Sequence, residues 1–272
     1  MSQRYQIDDL LYLMARLRDP SDGCDWDKAQ TMQSITHYTL EECYELIDAI
    51  ELNDIEQIRD ELGDVLFQVI FYSQVASEAG SFDWDDVVHG IVSKLVRRHP
   101  HVFPAGTLQS RATNSEISQA QIKTNWEAIK QTERDAKAQS GILDDVPTAL
   151  PALSRAQKLQ KRAAKVGFDW QNAEQVIDTL NEEISELRAA IKAKQPQNIQ
   201  DEAGDVLFSA VNLSRHLGLD AEKTLRQSNN KFEQRVQIME SLAREMGQEL
   251  AALSLEQQDE LWAKAKRQLG SS

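Results

Sequence analysis

The sequence predicts an all-α protein made of two tandem, related helical bundles. Three observations carry that expectation. Apolar residues recur at three- and four-residue spacing nearly throughout. No segment alternates convincingly as a β-strand. The pattern Glu41-Glu42-x-x-Glu45 then Glu61-x-x-Asp64 returns as Glu182-Glu183-x-x-Glu186 then Glu202-x-x-Asp205, each acid 141 residues after its counterpart. With 44 acidic residues in 272, one such match is within reach of composition. A second at identical spacing is not, and it marks an internal duplication.

The elements follow in order. Leu10, Leu11, Met14 and Leu17 form one face of a first helix that stops at Asp19-Pro20 and the turn Ser21-Asp22-Gly23. A helix is expected over about 34–51, and another over about 55–79 after the break at Asn53-Asp54, ended by Gly80. A further helix covers about 84–98 and stops before Pro100, whose ring disfavours helix in the residue before it. Residues 103–118 read as loop, and a helix surrounds Trp126. The second half repeats the order over about 154–166, 173–193, 198–217, 221–245 and 254–268, with Pro196 and Gly218 as punctuation. Ser254 and Gln257 have the spacing of a capping box. The expected organisation is a first domain over 1–135, a linker over 136–152 holding Gly141, Pro147 and Pro151, and a second domain over 153–272.

Composition removes several classes. A formal net charge of −14 argues against binding nucleic acid or an anionic membrane surface. Two cysteines, Cys24 and Cys43, imply no disulfide framework and fit a reducing cytosol. The first residues lack the continuous apolar core of a signal peptide, and no run is long enough to span a bilayer. A cytoplasmic protein is expected.

The acids are the candidate chemistry. On a helix, residues three or four apart share a face, so Glu42 and Glu45 project together, as do Glu61 and Asp64. A short connection makes the two helices antiparallel neighbours, and the four carboxylates converge. Glu183, Glu186, Glu202 and Asp205 do the same. The flanking apolar residues Leu40, Cys43, Ile47, Leu62, Leu66 and Phe67 are expected to bury one side of the first pair. Ile184, Leu187, Val206, Leu207 and Phe208 are expected to do so in the second. Four facing carboxylates repel one another unless a cation sits among them. Oxygen ligands of this kind suit Mg²⁺, with Mn²⁺ as the alternative. A solvated acidic face needs no repeated register, and a di-iron site wants Glu-x-x-His, which is absent.

Cations and aromatics accompany each set. Lys94-x-x-x-Arg98 and Lys231-x-x-x-Arg235 each put two cations on one face, as phosphate oxygens require. Trp126-x-x-x-Lys130 and Trp262-x-x-x-Lys266 follow. Asp25-Trp26 and Asp169-Trp170 precede the acids, and each Trp has two readings, a stack for a base or part of the core. Lys158, Lys161, Arg162 and Lys165 make the helix before Gly167-Phe168-Asp169-Trp170 basic, which equips the second copy better for a polyphosphate. His99-Pro100-His101 reads as a helix end and a turn rather than a metal site. No P-loop, Gly-x-Ser-x-Gly or Cys-x-x-Cys occurs.

The duplicated acids, with Arg97-Arg98-His99-Pro100-His101-Val102-Phe103 and Val166-Gly167-Phe168-Asp169-Trp170, resemble the two-domain MazG family of the all-α nucleoside triphosphate pyrophosphatases over essentially the whole chain. The resemblance implies hydrolysis of NTPs and dNTPs to the monophosphate and pyrophosphate, Mg²⁺ as cofactor, a homodimer, and activity in the C-terminal domain. It further implies that Glu183, Glu186, Glu202 and Asp205 hold metal, with Glu182 as a supporting ligand or water-orienting acid. Lys231 and Arg235 match its phosphate contacts, and Trp262 and Lys266 its C-terminal Trp and Lys. Phe168 and Trp170 lie in its substrate-side motif. Glu42, Glu45, Glu61 and Asp64 are intact as a second metal site whose turnover is open.

The expected reaction is attack of water at the α-phosphorus, with Glu182 or Glu183 orienting or deprotonating the water and Lys231, Arg235 and Lys266 stabilising pyrophosphate. Two further readings stand beside it: a sensor or scaffold that binds Mg-nucleotide without turnover, and an enzyme acting mainly on (p)ppGpp, in keeping with the family's link to stringent control.

Overall fold

A computed structural model describes residues 4–111, 118–136 and 141–270. Its elements are α1 (Ile7–Leu17), α2 (Asp25–Ala29), α3 (Thr36–Leu52), α4 (Ile55–Glu78), α5 (Trp84–Arg98), α6 (Gln119–Ala136), α7 (Ala152–Ala164), α8 (Ala173–Ala193), α9 (Pro196–His216), α10 (Ala221–Glu245) and α11 (Leu255–Gly270). A single 3-10 turn, Leu250–Ala252, precedes α11, and no strand occurs among the described residues. The all-α expectation holds. The chain divides into two compact units, Met1–Thr132 and Glu133–Ser272.

Each unit is organised around an antiparallel helix pair. In the first, α3 closes on Asn53, whose left-handed backbone (φ 56°) suits a helix C-terminus. Asp54 then caps α4 by accepting from the backbone N–H of Glu56 and of Gln57, both at 3.1 Å. Two residues therefore reverse the chain. In the second unit Lys194 (φ 54°) ends α8, and Pro196 opens α9 at its first turn, where its missing N–H costs nothing. The α8–α9 pair is the most extensively packed in the molecule, followed by α3–α4.

The remaining helices brace these pairs. Met14 on α1 and Ile35 join Ile70 and Phe71 on α4 in the first core, all 2% exposed or less. Phe67 meets Phe71 edge to face at 5.9 Å. Helix α7 packs on α9 and is tied to the α9–α10 turn by Gln157, which donates to the Leu219 carbonyl (2.8 Å) and accepts from the Ala221 N–H (3.2 Å). Helix α11 packs on α10 through Met239, Ala243, Leu253, Leu261 and Ala265. The capping box at its start is present: Gln257 Oε1 accepts from the Ser254 N–H and Ser254 Oγ from the Gln257 N–H.

Two short elements went unread in the sequence, α2 and the 3-10 turn, because five- and three-residue helices are too short to show a period. The expected burial of the flanking apolar residues is corrected in part. Cys43, Ile47, Phe67, Ile184, Leu187 and Val206 are half-buried. Leu40, Leu62, Leu66, Leu207 and Phe208 are exposed, Leu207 by 61%. Each acid-bearing pair is braced by a helix of its own unit, and Phe208 borders a cavity beside Leu159 and Gln160 of α7.

Both units clamp the brace to the pair with an arginine, and the polarity is opposite. In unit 1, Arg18 after α1 is buried and donates from Nε and Nη2 to Glu78 at the end of α4 (2.9 and 2.7 Å). It also donates from Nη1 to the Asp27 and Gln30 carbonyls. In unit 2 the arginine is on the long helix: Arg215 donates to Asp169 after α7, joined by His216 Nε2 at 3.0 Å. Arg215 also donates to Asn212 Oδ1 from Nε at 2.9 Å.

Replacing Arg18 with Ala leaves Glu78 with Gln74 Nε2 (3.0 Å) as its remaining donor and removes the donor to two carbonyls. A loss of about 2–3 kcal/mol in urea unfolding is expected, below a fully buried pair because Glu78 keeps some water. The hydrogen bonds from Arg18 hold the Glu78 carboxyl below its ordinary range. That stabilisation is present above the ordinary carboxylate range and is lost as pH falls through the lowered pKa, so the gap between wild type and variant should narrow in acid to what the two carbonyl bonds contribute. A gap unchanged at low pH would show that the pair contributes nothing.

Candidate functional site

The acids meet as the helix pairs require. One carboxylate oxygen from each of Glu42, Glu45 and Glu61 lies within 4.8 Å of the others, and Glu183, Glu186 and Glu202 repeat the arrangement. In each set the first and third acids are half-buried and the second is exposed. Asp64 and Asp205 lie outside the tight triads but are the leading charged neighbours of Glu42 and Glu183. Glu41 and Glu182, both exposed, add their charge to the same two residues.

This crowding raises pKa values in both copies. Lost hydration comes first for Glu42 and Glu183, then repulsion from Asp64 and Asp205 respectively. Glu45 is raised by lost hydration and then by Glu61, and Glu202 by lost hydration and then by Glu186. Glu61 Oε2 is buried with no hydrogen-bond partner. A sealed acceptor among mutually repelling carboxylates lacks a positive partner, and a hard divalent cation is the group this donor set fits. Glu42, Glu45 and Glu61 could hold one in unit 1, and Glu183, Glu186 and Glu202 in unit 2, with Asp64 and Asp205 in reach of the same charge.

Three of the cations gather over tryptophan rings. Arg235 lies over the Trp262 ring at 5.3 Å, and Phe232 meets that ring at 5.6 Å. Arg98 lies over Trp126 at 5.6 Å, with Lys130 Nζ at 5.4 Å and His99 at 5.0 Å from the same ring. Each Lys-x-x-x-Arg arginine is thus held by the Trp of the motif that follows it, a pairing that the i, i+4 spacing within each motif did not reveal. The Arg235 Nε is buried without an acceptor. Lys231 and Lys266 are exposed. Helix α10, which carries Lys231 and Arg235, packs chiefly on α11, which carries Trp262 and Lys266, and lightly on α9, which carries Glu202 and Asp205.

The basic helix resolves similarly. Lys158 and Lys161 are exposed on α7, whereas Arg162 is half-buried with Asp145 at 3.9 Å. Phe168 is 74% exposed. Of the two tryptophans, Trp26 is 51% exposed and meets Tyr38 edge to face. Trp170 is half-buried and donates to Thr179 Oγ1 at 3.1 Å. Trp170, Phe168, Phe208, Leu159, Gln160 and Asn212 line a cavity of about 240 Å³. Gln160 and Asn212 were missed in the sequence. Their signal was a polar side chain on an otherwise apolar face: Gln160 three residues after buried Gln157, and Asn212 seven residues after Asp205. His99 closes α5, its Nδ1 2.7 Å from the Leu95 carbonyl, in keeping with a helix end.

Two all-α units with matched carboxylate triads and matched Arg-on-Trp groups define a duplicated protein suited to cations and anions together. A profile of the MazG nucleotide pyrophosphohydrolase domain matches residues 30–103 and again residues 171–239, the segments that carry both acidic sets. The chain belongs to the MazG family. It is similar to the nucleoside triphosphate pyrophosphohydrolase of Escherichia coli K12, 49% identical over 265 residues, which are 97% of this chain and 98% of that protein. It is also similar to the nucleoside triphosphate pyrophosphohydrolase/pyrophosphatase MazG of Thermotoga maritima, 42% identical over 260 residues, 96% of this chain and 95% of that one. The uncharacterised protein YabN of Bacillus subtilis is 44% identical over 255 residues, covering 93% of this chain and 50% of its own length. No helix among the described residues is long and apolar enough to cross a membrane.

The raised carboxylates make a stability prediction for the metal-free protein. A group with a raised folded-state pKa contributes stability below the ordinary carboxylate range and loses it as pH rises through the raised value. Near neutral pH the apo protein therefore carries the cost of lost hydration and of unrelieved repulsion at Glu183. Glu183→Gln in a chelating buffer at pH 7 should raise the thermal midpoint by a few degrees, and the gain should vanish near pH 4. A lower midpoint at pH 7 would show that the acids do not oppose one another.

Proposed function

We infer that this protein hydrolyses nucleoside triphosphates, ribo- and deoxyribo-, to the monophosphate and pyrophosphate, with Mg²⁺ as cofactor and Mn²⁺ as its substitute. The observation that carries this reading is the triad Glu183, Glu186 and Glu202, within 4.8 Å of one another inside a segment matched by the nucleotide pyrophosphohydrolase profile. The activity named for the Escherichia coli and Thermotoga maritima relatives supports the same substrate class.

The triad and Asp205 would hold the cation, which when bound neutralises phosphate charge and acidifies water. Glu182 is exposed one residue before the triad and is placed to orient a water and accept its proton. That water forms the new bond to the α-phosphorus, and the bond from the α-phosphorus to the bridging oxygen of the β-phosphate breaks. The electrons leave with pyrophosphate, whose charge Lys231, Arg235 and Lys266 stabilise. Trp262 keeps the Arg235 guanidinium in place by stacking beneath it, and its sealed Nε is left to seek a phosphate oxygen. Lys158, Lys161 and Arg162 add positive charge on the approach from α7.

Catalysis is assigned to unit 2, and unit 1 is a second metal site. A homodimer accounts for the exposed Leu40, Leu62, Leu66, Leu207 and Phe208 on the acid-bearing helices, since such apolar surface is ordinarily covered by a partner. The setting is the cytoplasm, in control of the nucleotide pool, with (p)ppGpp as a second substrate to be compared.

Glu186→Ala or Asp205→Ala should abolish pyrophosphate release from ATP and dGTP, by at least a hundredfold, while Glu45→Ala keeps most of it. In ¹⁸O-water the label should appear in the monophosphate. Full activity in both unit 2 variants, or label in pyrophosphate, would overturn the mechanism.

A further inference from the structure

A cavity in unit 1 includes none of the acids. It lies between α5 and the segment that follows it, and its volume is about 580 Å³. That is within the roughly 300–1,000 Å³ of pockets that hold small molecules. His89, Ser93 and Arg97 of α5 line it, and Phe103, Pro104 and Leu108 close it from the other side.

The sequence builds this cavity by stopping a helix. Pro100 follows the end of α5, where the ring disfavours further helix in the residue before it. The His99 carbonyl then accepts from the N–H of Val102 and of Phe103, both at 2.9 Å, and the Phe103 carbonyl accepts from the Gly106 N–H at 3.0 Å. Gly106 takes a left-handed backbone (φ 67°), which lets the chain turn again. Phe103 and Leu108 thereby share a cavity with Val92 and Val96 of α5. Backbone hydrogen bonds, not side chains alone, hold its outer wall.

The duplication supplies a contrast. Lys94-x-x-x-Arg98 and Lys231-x-x-x-Arg235 lie 137 residues apart. At that offset Pro100 corresponds to Gln237, and α10 continues to Glu245 where α5 stops at Arg98. The continuation packs on α11 through Met239 and Ala243. His89, Ser93 and Arg97 correspond to Arg226, Asn230 and Gln234. Unit 2 packs a helix where unit 1 turns its chain back, and the three polar residues are not repeated.

Those residues form one row. At i, i+4 and i+8 they fall within about 80° of the helix surface and span roughly 12 Å along its axis. Ser93 Oγ lies 3.3 Å from His89 Nε2. In the tautomer with its proton on Nε2, the imidazole donates to Oγ and the hydroxyl keeps its own proton for another acceptor. Arg97 brings a planar fork of N–H donors, a local cation in a chain of net charge −14. Donors in a row, with Val92, Val96, Phe103 and Leu108 around them, suit a molecule with an anionic head and an apolar body.

We propose that the α5 cavity of unit 1 is a binding site for a small organic anion, whose phosphate or carboxylate head is held by Arg97 and Ser93 and whose apolar body lies against Val92, Phe103 and Leu108. The site goes beyond the pyrophosphohydrolase reading and stands whether or not unit 2 turns over nucleotides. It gives unit 1 a ligand of its own.

Methyl NMR of the full chain tests it, read at Val92, Val96 and Leu108 so that an anion bound elsewhere does not count. Phenyl phosphate and benzoate carry head and body together, whereas inorganic phosphate and phenol carry one each. At least one of the first two should bind roughly tenfold or more tightly than either half, and the tighter of them names the head. Arg97→Met, which keeps an apolar stem, should remove the advantage over phenol, and Arg97→Lys should restore part of it. Ser93→Leu should weaken the preferred probe by about tenfold or more by filling the cavity. Far-UV circular dichroism of each variant establishes that the helices are intact. Methyls unmoved by every probe, a half that binds as tightly as the whole, or an advantage retained in Arg97→Met overturns the site.

Discussion

Repulsion between carboxylates is the constraint on which the rest of the structure depends. Bringing three acids within 4.8 Å is unfavourable in an apo protein, and only a rigid framework holds them there. The framework is an antiparallel helix pair reversed in two residues, with a left-handed residue closing one helix and Asp54 or Pro196 opening the next. The reversal sets the register, and the register sets which acids face one another. Packing of α1 on α4 and of α7 on α9 then supplies apolar burial that offsets the electrostatic penalty.

Much of this was legible in the sequence because it is periodic. Helices α5, α8 and α10 begin and end where caps, glycines and prolines placed them. The acid sets converge because i, i+3 and i+4 relations are properties of any helix. What was illegible depends on which surface of a helix finds a neighbour. Leu40 and Leu207 look like core residues by type, yet they are exposed, because composition does not say how many helices will cover a pair. The Arg-on-Trp groups failed for the related reason that residues on different helices, as Arg98 and Trp126 are, meet only after the two helices have docked. The readings of Trp26 and Trp170 separate on the same ground: one is half exposed beside Tyr38, the other is anchored by Thr179 at a cavity edge.

Sameness and difference between the units carry different meanings. The acids, their spacing and the stacked arginines are retained, which keeps cation and anion chemistry in both. The residues behind the acids are not retained. Phe71 and Met14 are buried in the unit 1 core, whereas unit 2 has Asn212 at the position matching Phe71, and Asn212 and Gln160 border a cavity. A duplicated framework thus tolerates divergence where side chains fill space, while the ligating register stays fixed.

The opposite polarity of the two arginine clamps has a consequence for how such a chain assembles. A protein made of two related halves risks exchanging parts as it folds, with the first brace helix seated on the second pair and the reverse. In that crossed arrangement Arg18 would approach Arg215, and Asp169 would approach Glu78. Both encounters set like charges against each other in half-dry surroundings, whereas each correct docking joins opposite ones. The clamps therefore act as matched keys as well as fasteners, and each half of the molecule recognises its own brace.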